Sequence, residues 1–395
     1  MNVEFGMRSA ELKKKYQNPK IKTRNSKLSS SFPSLTRLKP LYIIFPMSAE
    51  KMAAPCALQR QGFHPGSCLV TAAGKQAPAC QVTLRKKDAS LERLISAIHL
   101  SRPENYLSIY QSGCNFSCRK CHSWYFSKHA EGEWYTPERI LQACLQYEKK
   151  VNWEEPRSKA TAYHAHDTCR CCGACVLDQQ RSSLCPGILD SSRITLSPQG
   201  FGPVRNIVGF TGGDLTCQAE FYARCSELIK AQTKLWVLIE TNGYGLSPAN
   251  LDLLRDAGVD AFWLDIKAYQ EDVHRWLTGC SNEWILQLPE EMLRRNFTLE
   301  VLSLYIPGVV EADQLETIAA RLVKVDAKIP FTILAFFPEY KMKDHRPPTI
   351  EEMVNAFEAV KATGLKNVRL GNMGIFAKKE EEIQILLEKV GLGSF

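Results

Sequence analysis

With 395 residues, 45% of them hydrophobic, the chain can bury one large core with additions, or two smaller ones. No apolar run approaches the roughly 18 residues of a membrane-spanning helix, and the short run 41–45 is followed by no small-residue cleavage pattern, so neither a membrane anchor nor a secretory signal is expected. The fifteen cysteines fall at metal-ligand spacings, which points to a reducing, cytoplasmic setting, and the formal charge of +8 comes largely from the first residues of the chain.

Residues 1–46 are rich in Lys, Arg and Ser, lack an amphipathic period and read as a disordered basic tail. Such a start can mimic a transit peptide or touch nucleic acid or anionic lipid; an unstructured start, with Met47 as the true first residue, is the simpler expectation. Residues 47–104 form an N-terminal extension. Its cysteines, Cys56, Cys68 and Cys80, are too far apart in sequence to define a site and read as ordinary small apolar residues, with a metal role as the lesser alternative. A short strand is expected over 82–84 and a short helix over 89–99.

From residue 105 the pattern changes to strands alternating with amphipathic helices, the signature of a parallel sheet with crossover helices. Strands are expected over 106–110, 206–210, 235–240, 261–266, 298–305 and 331–336. Their helices follow over 218–230, 248–257, 270–277, 312–325 and 350–363, with the first helix starting at Thr136-Pro137-Glu138, Pro in its first position. A short strand over 367–370 and a closing helix over 380–390, within a C-terminal segment 377–395, complete the core of 105–376. Residues 152–203 interrupt the alternation as an insertion.

Directly after the first strand comes Ser112–Tyr125, SGCNFSCRKCHSWY. Cys114, Cys118 and Cys121 stand in a Cys-x3-Cys-x2-Cys spacing on one short loop, and three thiolates so placed can hold three corners of a cubane iron–sulfur cluster. One iron would then lack a protein ligand and be open to another molecule. The bland alternative is buried cysteines, or a zinc site completed by His122 or His129.

This loop resembles the radical S-adenosylmethionine superfamily, and within it the activating enzymes of glycyl-radical enzymes, whose Gly-Cys-x3-Cys-x2-Cys-His pattern it repeats. The likeness runs in order through later strand ends, covering roughly 106–372. Gly212-Gly213-Asp214 resembles the family's Gly-Gly-Glu motif, with Asp in place of Glu. Glu240-Thr241-Asn242-Gly243 and Asp265-Ile266-Lys267 resemble stretches of the activases, and Asp272-Val273-His274, Thr278-Gly279 and Ser281-Asn282 extend the match. The resemblance implies an α/β fold, a partial six-unit (βα) barrel of TIM type. It implies a 4Fe–4S cluster on Cys114, Cys118 and Cys121, with S-adenosylmethionine on its open iron. Gly212, Gly213 and Asp214 would meet the cofactor's amino group, Lys267 its carboxylate, and Glu240 and Asp265 a cation or the ribose. Phe336-Phe337-Pro338-Glu339-Tyr340-Lys341 departs from the pyruvate formate-lyase activase, which carries Pro-Tyr-His there.

The insertion holds a second run, DTCRCCGACVLDQQRSSLCPG, in which Cys169, Cys172, Cys175 and a later Cys185-Pro186 approach the ferredoxin pattern. A second 4Fe–4S cluster is expected, with a zinc knot as its alternative and Cys171 as an extra thiol. The functional expectation is reductive cleavage of S-adenosylmethionine to a 5′-deoxyadenosyl radical and hydrogen abstraction from a glycine of a partner protein, with flavodoxin or ferredoxin as donor and no membrane or nucleic-acid partner. Radical modification of a peptide or small molecule, such as methylation, is the alternative enzyme; a zinc- or cluster-bearing binding module is the non-catalytic one.

Overall fold

The computed structural model describes residues 56–395 apart from 89, 178 and 183, so the basic tail expected over 1–46 lies outside the described residues. The extension leads into two antiparallel strands, β1 (Leu84–Lys87) and β2 (Ser90–Ser101), and the second half of β2 pairs with β3 (Tyr106–Gln111). β4 (Glu133–Tyr135) adds to the first half of β2, and α1 (Pro137–Glu148) follows. After the insertion the chain alternates through β5 (Ile207–Gly212), α2 (Glu220–Gln232), β6 (Trp236–Thr241), α3 (Pro248–Asp256), β7 (Ala261–Asp265), α4 (Glu271–Thr278) and α5 (Leu288–Arg294). It ends in β8 (Thr298–Tyr305), α6 (Ala312–Asp326), β9 (Phe331–Ala335), α7 (Ile350–Ala362), β10 (Val368–Gly371) and α8 (Glu380–Val390).

These 10 strands form one sheet in the order β10-β9-β8-β7-β6-β5-β3-β2-β1, with β4 beside β2, and two separate two-stranded sheets lie outside it among the described residues. Every pair from β3 to β10 is parallel, as the alternation predicted, and β10 is not joined to β1, so the sheet is an open partial barrel, as the resemblance implied. Because side chains alternate across a strand, each strand has two different faces. Leu107, Val208, Val237, Phe262, Val301 and Phe331 share the face that packs under the helices in the main apolar cluster. The register puts Ser108, Glu240, Asp265, Glu300 and Thr332 on the other face, which is polar.

Helix starts follow their caps. Thr136 accepts a hydrogen bond from Arg139 N at α1, Ser247 from Asn250 N at α3, and Thr349 forms a capping box with Glu352 at α7.

Two expectations for the extension are corrected. The segment expected as a helix over 89–99 is strand β2, and the strand expected over 82–84 falls at the end of a short helix, Ala79–Thr83, with β1 starting at Leu84. The register of β2 against β3 slips between Ile95 and Ala97. A bulge of this kind breaks the period of two, so the apolar positions of β2 no longer alternate as a strand should. The helix α5 lies where no element was expected.

The first part of the insertion seals the amino ends of the strands. Trp236 Nε1 donates to Glu155 O at 2.7 Å, Thr298 Oγ1 to Arg157 O at 3.1 Å, and Tyr163 N to Glu300 Oε2 at 2.7 Å. Arg205, which is fully buried, binds Glu155 Oε1 at 3.2 Å and the carbonyls of Glu104, Lys159 and Thr161. Removing one partner of a buried ion pair strands the other. Arg205→Ala is expected to lower unfolding free energy by about 3–5 kcal/mol in denaturant melts and to make the insertion more sensitive to protease. A loss under about 1 kcal/mol would mean that the clamp contributes no more than an exposed pair.

Candidate functional site

The Cys114 loop leaves the carboxyl end of β3 and is tied to its neighbours first through backbone. Ser112 N donates to Leu94 O at 3.0 Å, Asn115 N to Asp214 O at 2.9 Å, Ser117 N to Thr278 O at 2.9 Å and Arg119 N to Leu277 O at 2.8 Å. The loop is thus fixed by β2, by the turn after β5 and by the end of α4. Cys114, Cys118 and Cys121 are each half-buried. Burial raises the Cys118 and Cys121 thiols above their ordinary range, the charge of Cys114 adds to both and that of Cys121 to Cys118, and Lys267 opposes it. The three thiols and the Lys267 ammonium therefore share one neighbourhood. Asn242 Nδ2 lies 3.8 Å from Cys114 Sγ. His122 is exposed, and His129 Nδ1 bonds Tyr125 O at 3.1 Å. Among the described residues, no three His, Cys, Asp or Glu side chains are gathered tightly enough to hold a single metal ion.

Gly213 owes its identity to this loop. A Cβ added there would stand 2.3 Å from Gly113 O and 2.8 Å from Gln111 O, so the two backbones meet with no room for a side chain. The contact is held by Arg93, which sequence reasoning missed because it lies in the segment expected as a helix. Arg93 is fully buried in β2, and its guanidinium donates to Gly113 O at 3.2 Å, Gly213 O at 3.3 Å, Thr83 Oγ1 at 2.6 Å and Gln111 Oε1 at 3.4 Å. No local sequence pattern marks it, since its partners are backbone carbonyls brought together only by the fold.

Asp214 is buried, and its carboxylate faces protein. Oδ2 accepts from Thr241 Oγ1 at 2.7 Å and Asn242 N at 2.8 Å, and Oδ1 from Thr216 N at 2.8 Å. It splices the turn after β5 to the turn after β6. Asn242 in turn donates to Asn115 Oδ1 at 2.7 Å, and Asn115 Nδ2 to Tyr244 O at 2.7 Å. Glu240, Asp265 and Lys267 lie deeper on the polar face or at its rim. Lys267 Nζ is paired with Asp265 Oδ2, both side chains about a quarter exposed (26% and 24%). Burial alone would lower Lys267, but Asp265, with Cys118 and Cys121, holds it above the usual lysine range. Asp265 Oδ1 is buried without a hydrogen-bond partner among the described residues.

Glu240 accepts from Tyr106 Oη at 2.7 Å and Thr211 Oγ1 at 2.5 Å. Burial pushes its carboxyl up to about 8, and burial likewise pushes Glu300 up to about 7, with Glu300 taking bonds from Tyr163 N and Thr332. The segment after β9 closes over the thiol loop: Tyr340 stacks on Trp124 with centroids 5.3 Å apart, Lys341 N donates to Arg119 O, and Lys120 Nζ sits 3.3 Å from the Phe337 ring centroid.

The insertion cysteines gather at the opposite end. Cys169, Cys172, Cys175 and Cys185 line a single cavity with Phe201 and Leu189, and Cys172 Sγ is 3.1 Å from Cys185 Sγ. Cys171 does not line it; its Sγ turns to Asn105 Oδ1 at 3.3 Å, with its backbone in the left-handed region at φ 54°.

The fold and site define an open α/β barrel with a three-thiol loop at the carboxyl ends of its strands. Residues 201–320 match the model of the radical SAM superfamily. The chain is 29% identical over 151 residues to a protein of Methanocaldococcus jannaschii named as a glycyl-radical enzyme activating enzyme, covering 37% of this chain and 56% of that one. It is 23% identical over 281 residues to an uncharacterized protein of the same organism, covering 70% of this chain and 66% of the other. The chain thus spans less than two thirds of the length of either relative. Among solved structures, a domain of a pyruvate-formate lyase-activating enzyme from Bacteroides vulgatus is matched at 18% identity and a TM-score of 0.37, covering 42% of this chain and 98% of that one. Coproporphyrinogen III oxidase of Escherichia coli is matched at 16% identity and a TM-score of 0.34, covering 40% and 39%. Over residues 201–320 the chain is thus similar to the radical SAM superfamily, and over 151 residues to a protein named as a glycyl-radical enzyme activating enzyme.

The two raised carboxyls set a pH dependence. A carboxyl whose folded pKa lies above its unfolded value keeps its proton in the native state while the unfolded chain has lost it. Stability is therefore full below about 4.5 and falls as pH rises through about 7 for Glu300 and about 8 for Glu240. Denaturant melts from pH 5 to 9 should show this fall, no steeper than about 1.4 kcal/mol per pH unit for each carboxyl. Glu240→Gln with Glu300→Gln should flatten it; an unchanged slope would place the titration elsewhere.

Proposed function

We propose that the chain reductively cleaves S-adenosylmethionine and uses the resulting radical to abstract hydrogen from a glycine of a partner protein. In this reading, residues 105–376 are the radical SAM core, 47–104 an extension, 152–203 an inserted metal module and 377–395 a closing segment. Cys114, Cys118 and Cys121 hold a 4Fe–4S cluster. The donor set fits: three clustered thiols, a cation beside them and an unsatisfied carboxylate oxygen on Asp265. When bound there, the cluster and S-adenosylmethionine supply the electron and the 5′-deoxyadenosyl radical.

The observation that carries the reading is Lys267, held at the end of β7 beside both Cys118 and Cys121. A fixed ammonium beside these thiols would suit the carboxylate of an amino-acid ligand held there. Asp265 orients Lys267 and keeps it charged. Asp214, bonded wholly to protein, positions the Gly212-Gly213 backbone instead of reaching the cofactor itself. Glu240 stays protonated near neutral pH and presents a hydrogen-bonded, uncharged wall to the polar face. Tyr340 and Trp124 narrow the approach and limit water at the reacting centre. A protein substrate is supported by the relative named as an activating enzyme. Flavodoxin or ferredoxin is the proposed donor.

Cys169, Cys172, Cys175 and Cys185 are proposed to hold a second 4Fe–4S cluster. Cys171, turned toward Asn105, is left out of it.

The anaerobically reconstituted chain, reduced with dithionite, is expected to release 5′-deoxyadenosine and methionine from S-adenosylmethionine. Cys118→Ala should abolish release. Lys267→Ala should weaken S-adenosylmethionine binding by about 10- to 100-fold, the loss of one charge-assisted contact, while keeping the cluster's absorption. A cluster-loaded, reduced preparation that leaves S-adenosylmethionine intact would sink the reading. Cys172→Ser should remove about four irons per chain without abolishing cleavage of S-adenosylmethionine; unchanged iron would argue against the second cluster.

A further inference from the structure

The three cysteines of the extension, which in sequence read as isolated small apolar residues, are not isolated in space. Cys56, Cys68 and Cys80 converge on a fourth, Cys217, which lies three residues beyond Asp214 in the loop after β5. Cys68 feels the charge of Cys56, Cys80 that of both, and Cys217 that of all three. Backbone contacts tie together the segments that carry them. Ala79 N, next to Cys80, donates to Cys68 O at 2.8 Å. Gln61 Nε2 bridges Cys217 O at 2.8 Å and Ala57 O at 3.0 Å, beside Cys56. An added Cβ on Gly245 would touch Cys217 Cβ and Leu58 Cδ2 at once, at 2.4 and 2.6 Å.

We infer that Cys56, Cys68, Cys80 and Cys217 form an additional four-thiolate centre for an iron–sulfur cluster. Four sulfur donors with no oxygen or nitrogen among them are the ligand set that such clusters take. Two cations face the group: Lys128 acts on Cys68, and Arg93 on Cys80 and Cys217. They offset the negative charge that four thiolates would bring. Cys217 is buried and the other three are partly exposed, so the centre would sit at the seam where the extension meets the barrel.

The centre has a structural task that follows from its position. The helix between Cys68 and β1 supplies Ala79 and Thr83, which enclose Gly113, and Thr83 Oγ1 accepts from Arg93. Stapling Cys68 and Cys80 to Cys217 would hold this helix against the thiol loop without touching a substrate. The inference does not depend on the proposed reaction.

The test separates the two. In a full-length background with Cys114, Cys118, Cys121, Cys169, Cys172, Cys175 and Cys185 all changed to Ser, the anaerobically reconstituted protein is expected to retain about four irons with matching sulfide per chain. Adding Cys68→Ser and Cys80→Ser to that background should remove the iron. A background free of iron and sulfide, or iron unchanged by those two substitutions, overturns the inference. Should the background fail to fold, wild-type protein is alkylated before and after chelation. Cys56, Cys68 and Cys80 should be shielded first and labelled afterwards, and labelling at equal rates, or an intact-mass loss marking disulfides, overturns it equally. Failure of S-adenosylmethionine cleavage in the wild type would leave these readouts unaffected.

Discussion

A single buried guanidinium holds together the two backbones on which the site is built. Arg93 reaches from β2 to the carbonyls of Gly113 and Gly213, so the loop after β3 and the turn after β5 are joined at a distance that admits no side chain. A charge removed from water is tolerated only when its donors are satisfied, and here backbone carbonyls, a hydroxyl and an amide satisfy them. The same junction is reinforced from the far side by Asp214 and Asn242, which splice the turns after β5 and β6. The shape of the thiol loop is therefore set by contacts distant in sequence.

The polar face follows from topology. Parallel strands covered by helices on one side turn their alternate residues inward, and here that inner surface carries Glu240, Glu300 and Asp265 with Tyr106 and Thr332 as partners. Such a surface is costly unless it has hydrogen bonds, and raised carboxyl pKa values are the mark of that cost. An open barrel with a polar inner wall can admit a charged ligand, and the segment after β9 restricts the way in.

Much of the barrel was legible in the sequence because its strands and helices obey local rules. β8 and α8 fall on their expected bounds, and Thr136 caps α1 at the expected start. The extension was illegible for the reverse reason: β2 carries a bulge, and its pairing with β3 overrides the local pattern. The motif residues at the strand ends could be named, and the structure brings Lys267 to Cys118 and Cys121. What the motifs hid was direction. Asp214 looks outward in a motif and inward in the fold, and Arg93 and Cys217 carry no motif at all.

The two cysteine groups that the sequence did mark stand at opposite ends of the barrel. Cys171, in the insertion, bonds to Asn105, the residue before β3, while Cys114 follows the far end of that strand. A six-residue strand separates them, about 20 Å of extended backbone. No small ligand could span that gap and touch both, so one molecule cannot be shared between the two sulfur sites. A molecule held at one end is out of reach of the other.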